Sequence, residues 1–123
     1  LWNVVNFRAS VQPVNDGKDG YQVRLGNVGI LTFTLAGNAD SVKARAEDAA
    51  AAINRRLAKD YIQQFDVSKD DAGGTATIRL RWMPVFTVSK ADAEAAGMTL
   101  EAYSAMIVQG LKSALYEQLV LRS

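Results

Sequence analysis

Among the 123 residues there is neither histidine nor cysteine. That removes disulfides, thiol chemistry, zinc sites built on nitrogen or sulfur, and every triad that uses imidazole as its base. Acid–base or nucleophilic work would fall to Asp, Glu, Lys, Tyr, Ser and Thr. Asp92 and Glu94 come nearest to a carboxylate pair, but residues two apart on a helix point in different directions. Ser89, three positions earlier, makes Asp92 half of a helix-starting cap instead. The loop Asn15-Asp16-Gly17-Lys18-Asp19-Gly20 gathers oxygens around a glycine, as a calcium loop does. With Asn15 as first ligand, however, Gly17 takes a ligand position and Gly26 replaces the bidentate glutamate, so a plain turn is expected. Asp70-Asp71 reads as a solvated turn, and the neighbouring Gly73-Gly74 lacks the Lys-Ser/Thr that a phosphate loop carries into a helix. The expectation is a non-enzyme with no catalytic residue, no cofactor and no metal.

A basic group is the other candidate. Arg79 and Arg81 fall on one strand face, and Arg55, Arg56 and Lys59 close the preceding helix. A basic sheet face with aromatics among its cations is one way to hold single-stranded nucleic acid. Trp82, though, is in phase with Ile78 and Leu80, so it is expected in the core or at its boundary, away from the arginines. The aromatic-rich RNA-recognition pattern is missing, and cations ending a helix ordinarily complement its dipole. Fourteen basic and thirteen acidic residues give a formal charge of +1, too even to mark a nucleic-acid or anionic-lipid surface by bulk charge.

These side chains need elements to hold them. A hydrophobic share of 49% and a charged share of 22% suit a soluble, folded chain, and the length suits a single domain over residues 1–123. From Val5, the residues Phe7, Ala9 and Val11 alternate with polar neighbours up to Pro13, the period of a half-buried strand. Tyr21 to Leu25 and Val28 to Leu35 form a hairpin across Gly26-Asn27, with a register change between Ile30 and Leu31 that predicts a bulge or bend. Asp40 or Ser41 can cap a helix in which Val42, Ala46, Ala49, Ala50, Ile53 and Leu57 share a face, leaving Arg45, Asp48 and Arg55 toward water.

Tyr61 to Val67 and Thr75 to Trp82 read as two further strands joined by the loop Ser68–Gly74, with Val85 to Val88 continuing extended past Pro84. A short helix Lys90 to Ala96 ends at Gly97, and Thr99 opens a longer one with Leu100, Tyr103, Ile107, Leu111, Ala114 and Leu115 on one face. The order β-β-β-α-β-β-α-α predicts an α+β two-layer sandwich, mostly antiparallel, with helices on one face. No internal repeat, low-complexity tract or linker is expected. No apolar run is long enough to span a bilayer, and Leu1-Trp2-Asn3 has neither part of a signal peptide. Because the chain opens without methionine, it is expected to be a processed product or a piece of a longer protein.

Two segments resemble a known family. Val23-Arg24-Leu25-Gly26-Asn27-Val28-Gly29-Ile30-Leu31-Thr32-Phe33, leading to the Ala- and Arg-rich stretch Ala44 to Leu57, is similar to the start of a soluble domain preceding the pore in some bacterial mechanosensitive channels of the MscS type. The stretch Val85 to Ser104 resembles that domain's closing phrase, with Ser89 where the family pattern has threonine. The resemblance implies an extracytoplasmic, non-catalytic module of a cyanobacterial or proteobacterial envelope protein, on the periplasmic or thylakoid-lumen side. The leading expectation is a non-catalytic interaction or sensor module of the cell envelope, accessory to a mechanosensitive channel, whose partner is an envelope protein or a second copy met through a sheet edge or the exposed side of the last helix. Contact with a membrane would come only through a segment not present, approached by Leu119-Val120-Leu121. The second reading is a nucleic-acid-binding domain using Arg55, Arg56, Lys59, Arg79 and Arg81.

Overall fold

Alternation between apolar and polar side chains builds two antiparallel three-stranded sheets, here described from a computed structural model. Residues 7–122 are described, with side chains through Gln118. The strand start expected at Val5, the Leu1-Trp2-Asn3 opening and the side chains of Leu119-Val120-Leu121 lie outside that range. The first sheet runs β1 (Ala9–Pro13), β2 (Tyr21–Leu25), β3 (Val28–Phe33), and the second β4 (Val67–Ala72), β5 (Thr75–Leu80), β6 (Met83–Ser89). Every second side chain is buried: Val23 and Leu25 in β2, Ala76, Ile78 and Leu80 in β5.

Helix α1 (Val42–Lys59) starts where the Ser41 hydroxyl accepts the Ala44 amide at 3.0 Å. Its buried residues, Ala46, Ala49, Ala50 and Ile53, are mostly small, so the backbone can close on the sheet. After α2 (Lys90–Ala95), Gly97 takes a left-handed φ of 74° and α3 (Leu100–Arg122) begins. It buries Tyr103, Ile107, Leu111, Ala114 and Leu115 in the core shared by both sheets.

The α+β class and the element order stand as the sequence predicts, and the extended run past Pro84 is a strand in its own right, paired with β5. The register change near Ile30 is a bulge: Val23 faces Leu31 while Arg24 faces Gly29. Two expectations are corrected. Tyr61 to Asp66 is not a strand; Gln63 and Asp66 form a reciprocal cap that winds Gln64–Asp66 into a 3-10 turn, and strand β4 occupies the stretch expected as a loop. Trp82 is not at the core boundary but 82% exposed, because β5 ends at Leu80 and Arg81-Trp82 form a two-residue turn.

The two sheets also share a hairpin geometry. Val23-Arg24-Leu25 in β2 corresponds to Ile78-Arg79-Leu80 in β5, and the pairings match one for one: Leu25 with Val28 as Leu80 with Met83, Arg24 with Gly29 as Arg79 with Pro84. Each hairpin has a two-residue turn and each bulges at the same place, at Ile30 and at Val85. Helix α1 packs mainly on β1 and β2 and also meets β6 and β3, while α3 packs most on β3 and also on β4 and β5, so each helix bridges the two sheets. The molecule is two interlocked strand-strand-strand-helix units, with α2 inserted in the second.

Candidate functional site

The most heavily engaged polar group joins the two units. Asp92, with its side chain 4% exposed, receives both ends of the Arg45 guanidinium at 2.7 Å each. Arg45 also donates to the carbonyls of Leu35 and Thr87 and lies 4.2 Å above the Phe33 ring. Arg45 therefore does not face water as the helical pattern suggests; its long side chain crosses from the margin of α1 into the joint between the sheets. The cap between Ser89 and Asp92 is present as the sequence predicts, the Ser89 amide meeting Asp92 at 2.7 Å. Burial opposes ionisation of Asp92, but the Arg45 hydrogen bonds, the Ser89 amide and the Arg45 charge together hold its carboxyl below the usual carboxylate range. Burial, then the Asp92 charge, pushes the nearby Tyr103 hydroxyl up. With all of its partners supplied by the fold, this pair is a structural joint.

The structure divides the basic candidates. Arg56 is committed to Asp60 at 2.8 Å and to the Leu80 carbonyl, and Arg79 to Asp70 at 2.8 Å and to the Trp82 carbonyl. Arg81 lies 3.7 Å from Asp60. Arg55 and Lys59, one helical turn apart on α1, are exposed and have no ion pair among the described residues. Asp70-Asp71 serve Arg79 and Lys69, and in the Asn15–Gly20 loop the Asn15 amide donates to Asp19 at 3.1 Å. No cluster of three or more acidic side chains that could hold a metal ion occurs among the described residues.

Beside Arg55 and Lys59 the molecule exposes its aromatics. The amide of Arg81 donates to the Asp66 carbonyl at 2.9 Å, which sets the Arg81-Trp82 turn next to the 3-10 turn bearing Phe65. Phe65 is 71% exposed, and Tyr61, Met83 and Tyr116 are each more than half exposed. These four and Trp82 are five of the seven large apolar side chains found exposed among the described residues, so the apolar surface is concentrated at one end. The same end contains a cavity of about 690 Å³ lined by Phe7, Arg8, Leu57, Tyr61, Phe65 and Tyr116, among others. The side-chain nitrogen of Gln118, another lining residue, is buried without a hydrogen-bond partner among the described residues.

A family model described as a domain of unknown function, DUF8459, matches residues 22–118. The chain belongs to this family. No curated protein and no solved structure matches the chain. The DUF8459 match spans the Arg45–Asp92 joint, both hairpin turns and the aromatic end from Tyr61 to Gln118, while Phe7 and Arg8 precede it.

Of the residues at this end, sequence reasoning selected Arg55, Arg56, Lys59 and Arg81 and missed Tyr61, Phe65, Trp82 and Tyr116. The signal for Phe65 was the Gln63-to-Asp66 spacing of a cap, which turns the chain before β4 begins.

Proposed function

We propose that this DUF8459 chain is a non-catalytic interaction module of a bacterial cell-envelope protein, with the aromatic and basic end as its contact face. The observation that carries the contact face is the gathering of Tyr61, Phe65, Trp82, Met83 and Tyr116, all exposed, with Arg55 and Lys59, which have no ion pair among the described residues. Exposed aromatics with cations around them are the composition of binding surfaces, and here Tyr61, Phe65, Tyr116 and Lys59 line a cavity of ligand-binding size. The envelope setting, and an accessory role beside an MscS-type channel, are supported by the resemblance of the hairpin and closing segments. At the edge of the first sheet the Asn54 amide pairs the Ala9 end of β1, accepting from the Ala9 amide at 2.7 Å and donating to its carbonyl at 2.9 Å.

A photo-crosslinking residue at position 65, compared in cells with one at exposed Met106 on α3, tests this reading. Envelope components captured from position 65 and not from 106 are the expected result; capture of cytosolic components alone overturns it. One observation favours the nucleic-acid reading as second: Trp82 lies in the open beside Arg81, which supplies the stacking side chain the sequence pattern seemed to deny. Gel shifts of single-stranded oligonucleotides across a salt series decide it, since phosphate contacts must weaken steeply as salt rises.

A further inference from the structure

We propose that the aromatic and basic end docks on an anionic bilayer surface, with Trp82, Met83 and Phe65 entering the headgroup layer and Arg8, Arg55 and Lys59 meeting lipid phosphates. The inference rests on the reading of this end as the contact face and names its partner.

Three observations carry it. First, the exposed apolar side chains sit on turns: Trp82 and Met83 at the β5–β6 turn and Phe65 on the 3-10 turn that the Arg81 amide binds. Projecting turns can sink into an interface, where indole and phenyl rings are favoured, whereas a nucleic-acid platform needs aromatics laid along a sheet face or groove. Second, charge is uneven although the chain is nearly neutral at +1. The cavity at this end carries Arg8 and Lys59 against Asp60, and Arg8, Arg55 and Lys59 are exposed with no ion pair among the described residues. Cations near an anionic surface reinforce the burial of an apolar face. Third, the turn that displays Trp82 is held in an unfavourable backbone conformation, with φ of 49° at Arg81 and 70° at Trp82. A two-residue hairpin turn with positive φ at both positions favours Asn and Gly there, so it is the presence of arginine and tryptophan, not the turn itself, that points to display. No helix among the described residues is long and apolar enough to cross a membrane.

The experiment uses the full chain carrying Trp2→Phe, which leaves Trp82 as the single indole of the two in the sequence. Vesicles of phosphatidylglycerol are compared with vesicles of phosphatidylcholine by co-sedimentation, Trp82 emission and acrylamide quenching. Association with phosphatidylglycerol, a blue shift and protection from quenching are expected. The double variant Arg55→Ala/Lys59→Ala should bind these vesicles about 30-fold more weakly, at roughly 1 kcal/mol for each cation near an anionic surface. Phe65→Ala should lower binding severalfold while leaving the unfolding midpoint unchanged, because that side chain touches solvent.

Lack of association with either vesicle overturns the inference, as does association that ignores these substitutions. So does competition in which a single-stranded oligonucleotide binds and vesicles do not. If position 65 crosslinks an envelope protein while no vesicle binds, the contact face stands and the bilayer inference falls; if neither is seen, both fall.

Discussion

The two strand-strand-strand-helix units share register, bulge and turn length, yet differ at the tip of the equivalent hairpin. In the first unit the tip is Gly26-Asn27, where the residue of positive φ, at 61°, is a glycine. In the second it is Arg81-Trp82, where an arginine and a tryptophan are both forced into the left-handed region. The two tips are equal in length but not in conformation: only Gly26 has positive φ in the first, whereas Arg81 and Trp82 both do in the second, and the second is the tip that exposes an aromatic. The first-unit tip carries a residue suited to its turn, whereas the second carries two that do not favour positive φ, a cost that the proposed contact face would explain.

Breaking the joint between the units should have the largest effect. Arg45→Ala leaves the buried Asp92 carboxylate unpaired and should lower unfolding free energy by about 3–5 kcal/mol, read from urea denaturation. The same pair sets the response to acid. Because the folded carboxyl of Asp92 lies below its ordinary 3.8, its contribution is complete above that value and disappears as pH falls through the lowered folded value. Stability measured from pH 6 downward should therefore drop below about pH 4, a limb that Arg45→Ala removes.

Asn54 tests a device found in the first unit. Asn54→Ala strips the partner from both backbone groups of Ala9, should cost about 1–3 kcal/mol, and should speed amide exchange at Ala9 ahead of β2. The tip comparison is sharpened by Arg81→Asn/Trp82→Gly, which installs residues that favour positive φ. It should raise stability by about 1 kcal/mol, since the exposed Arg81–Asp60 contact it removes is weak. The smallest effects should be equal ones: α1 and α3 are capped alike, Ser41 holding the Ala44 amide at 3.0 Å and Thr99 the Ala102 amide at 3.1 Å. Ser41→Ala and Thr99→Ala should each cost about 1 kcal/mol or less, matched within error in thermal unfolding.

The fold was readable wherever one face of an element is apolar and the other polar. Period-2 runs located β2 and β5, and the alanine stripe located α1. Where polarity and structure part company, the reading failed for identifiable reasons. The segment Ser68 to Ala72 is charged and reads as a loop, but edge strands carry such residues, and β4 is an edge. Alternation continued one step past Leu80 would bury Trp82, yet the strand stops and the turn rotates the side chain outward. Arg45 and Asp92 stand 47 positions apart, so nothing local signals their pairing. The shared hairpin geometry was hidden because its matching residues are few, such as Arg24 with Arg79 and Thr32 with Thr87, and the two tips differ completely. The aromatic end was legible only in its cations, since exposure of Tyr61, Phe65 and Tyr116 depends on which segments pack around them.

The account turns on the second hairpin tip being kept for contact at the expense of folding. Partition of the full chain onto phosphatidylglycerol vesicles, compared with the Arg81→Asn/Trp82→Gly variant, tests that most directly. The account predicts that the relaxed tip loses at least tenfold in partition, by about 1.4 kcal/mol or more, while unfolding at higher urea. Unchanged partition, or a variant less stable than the parent, would contradict it.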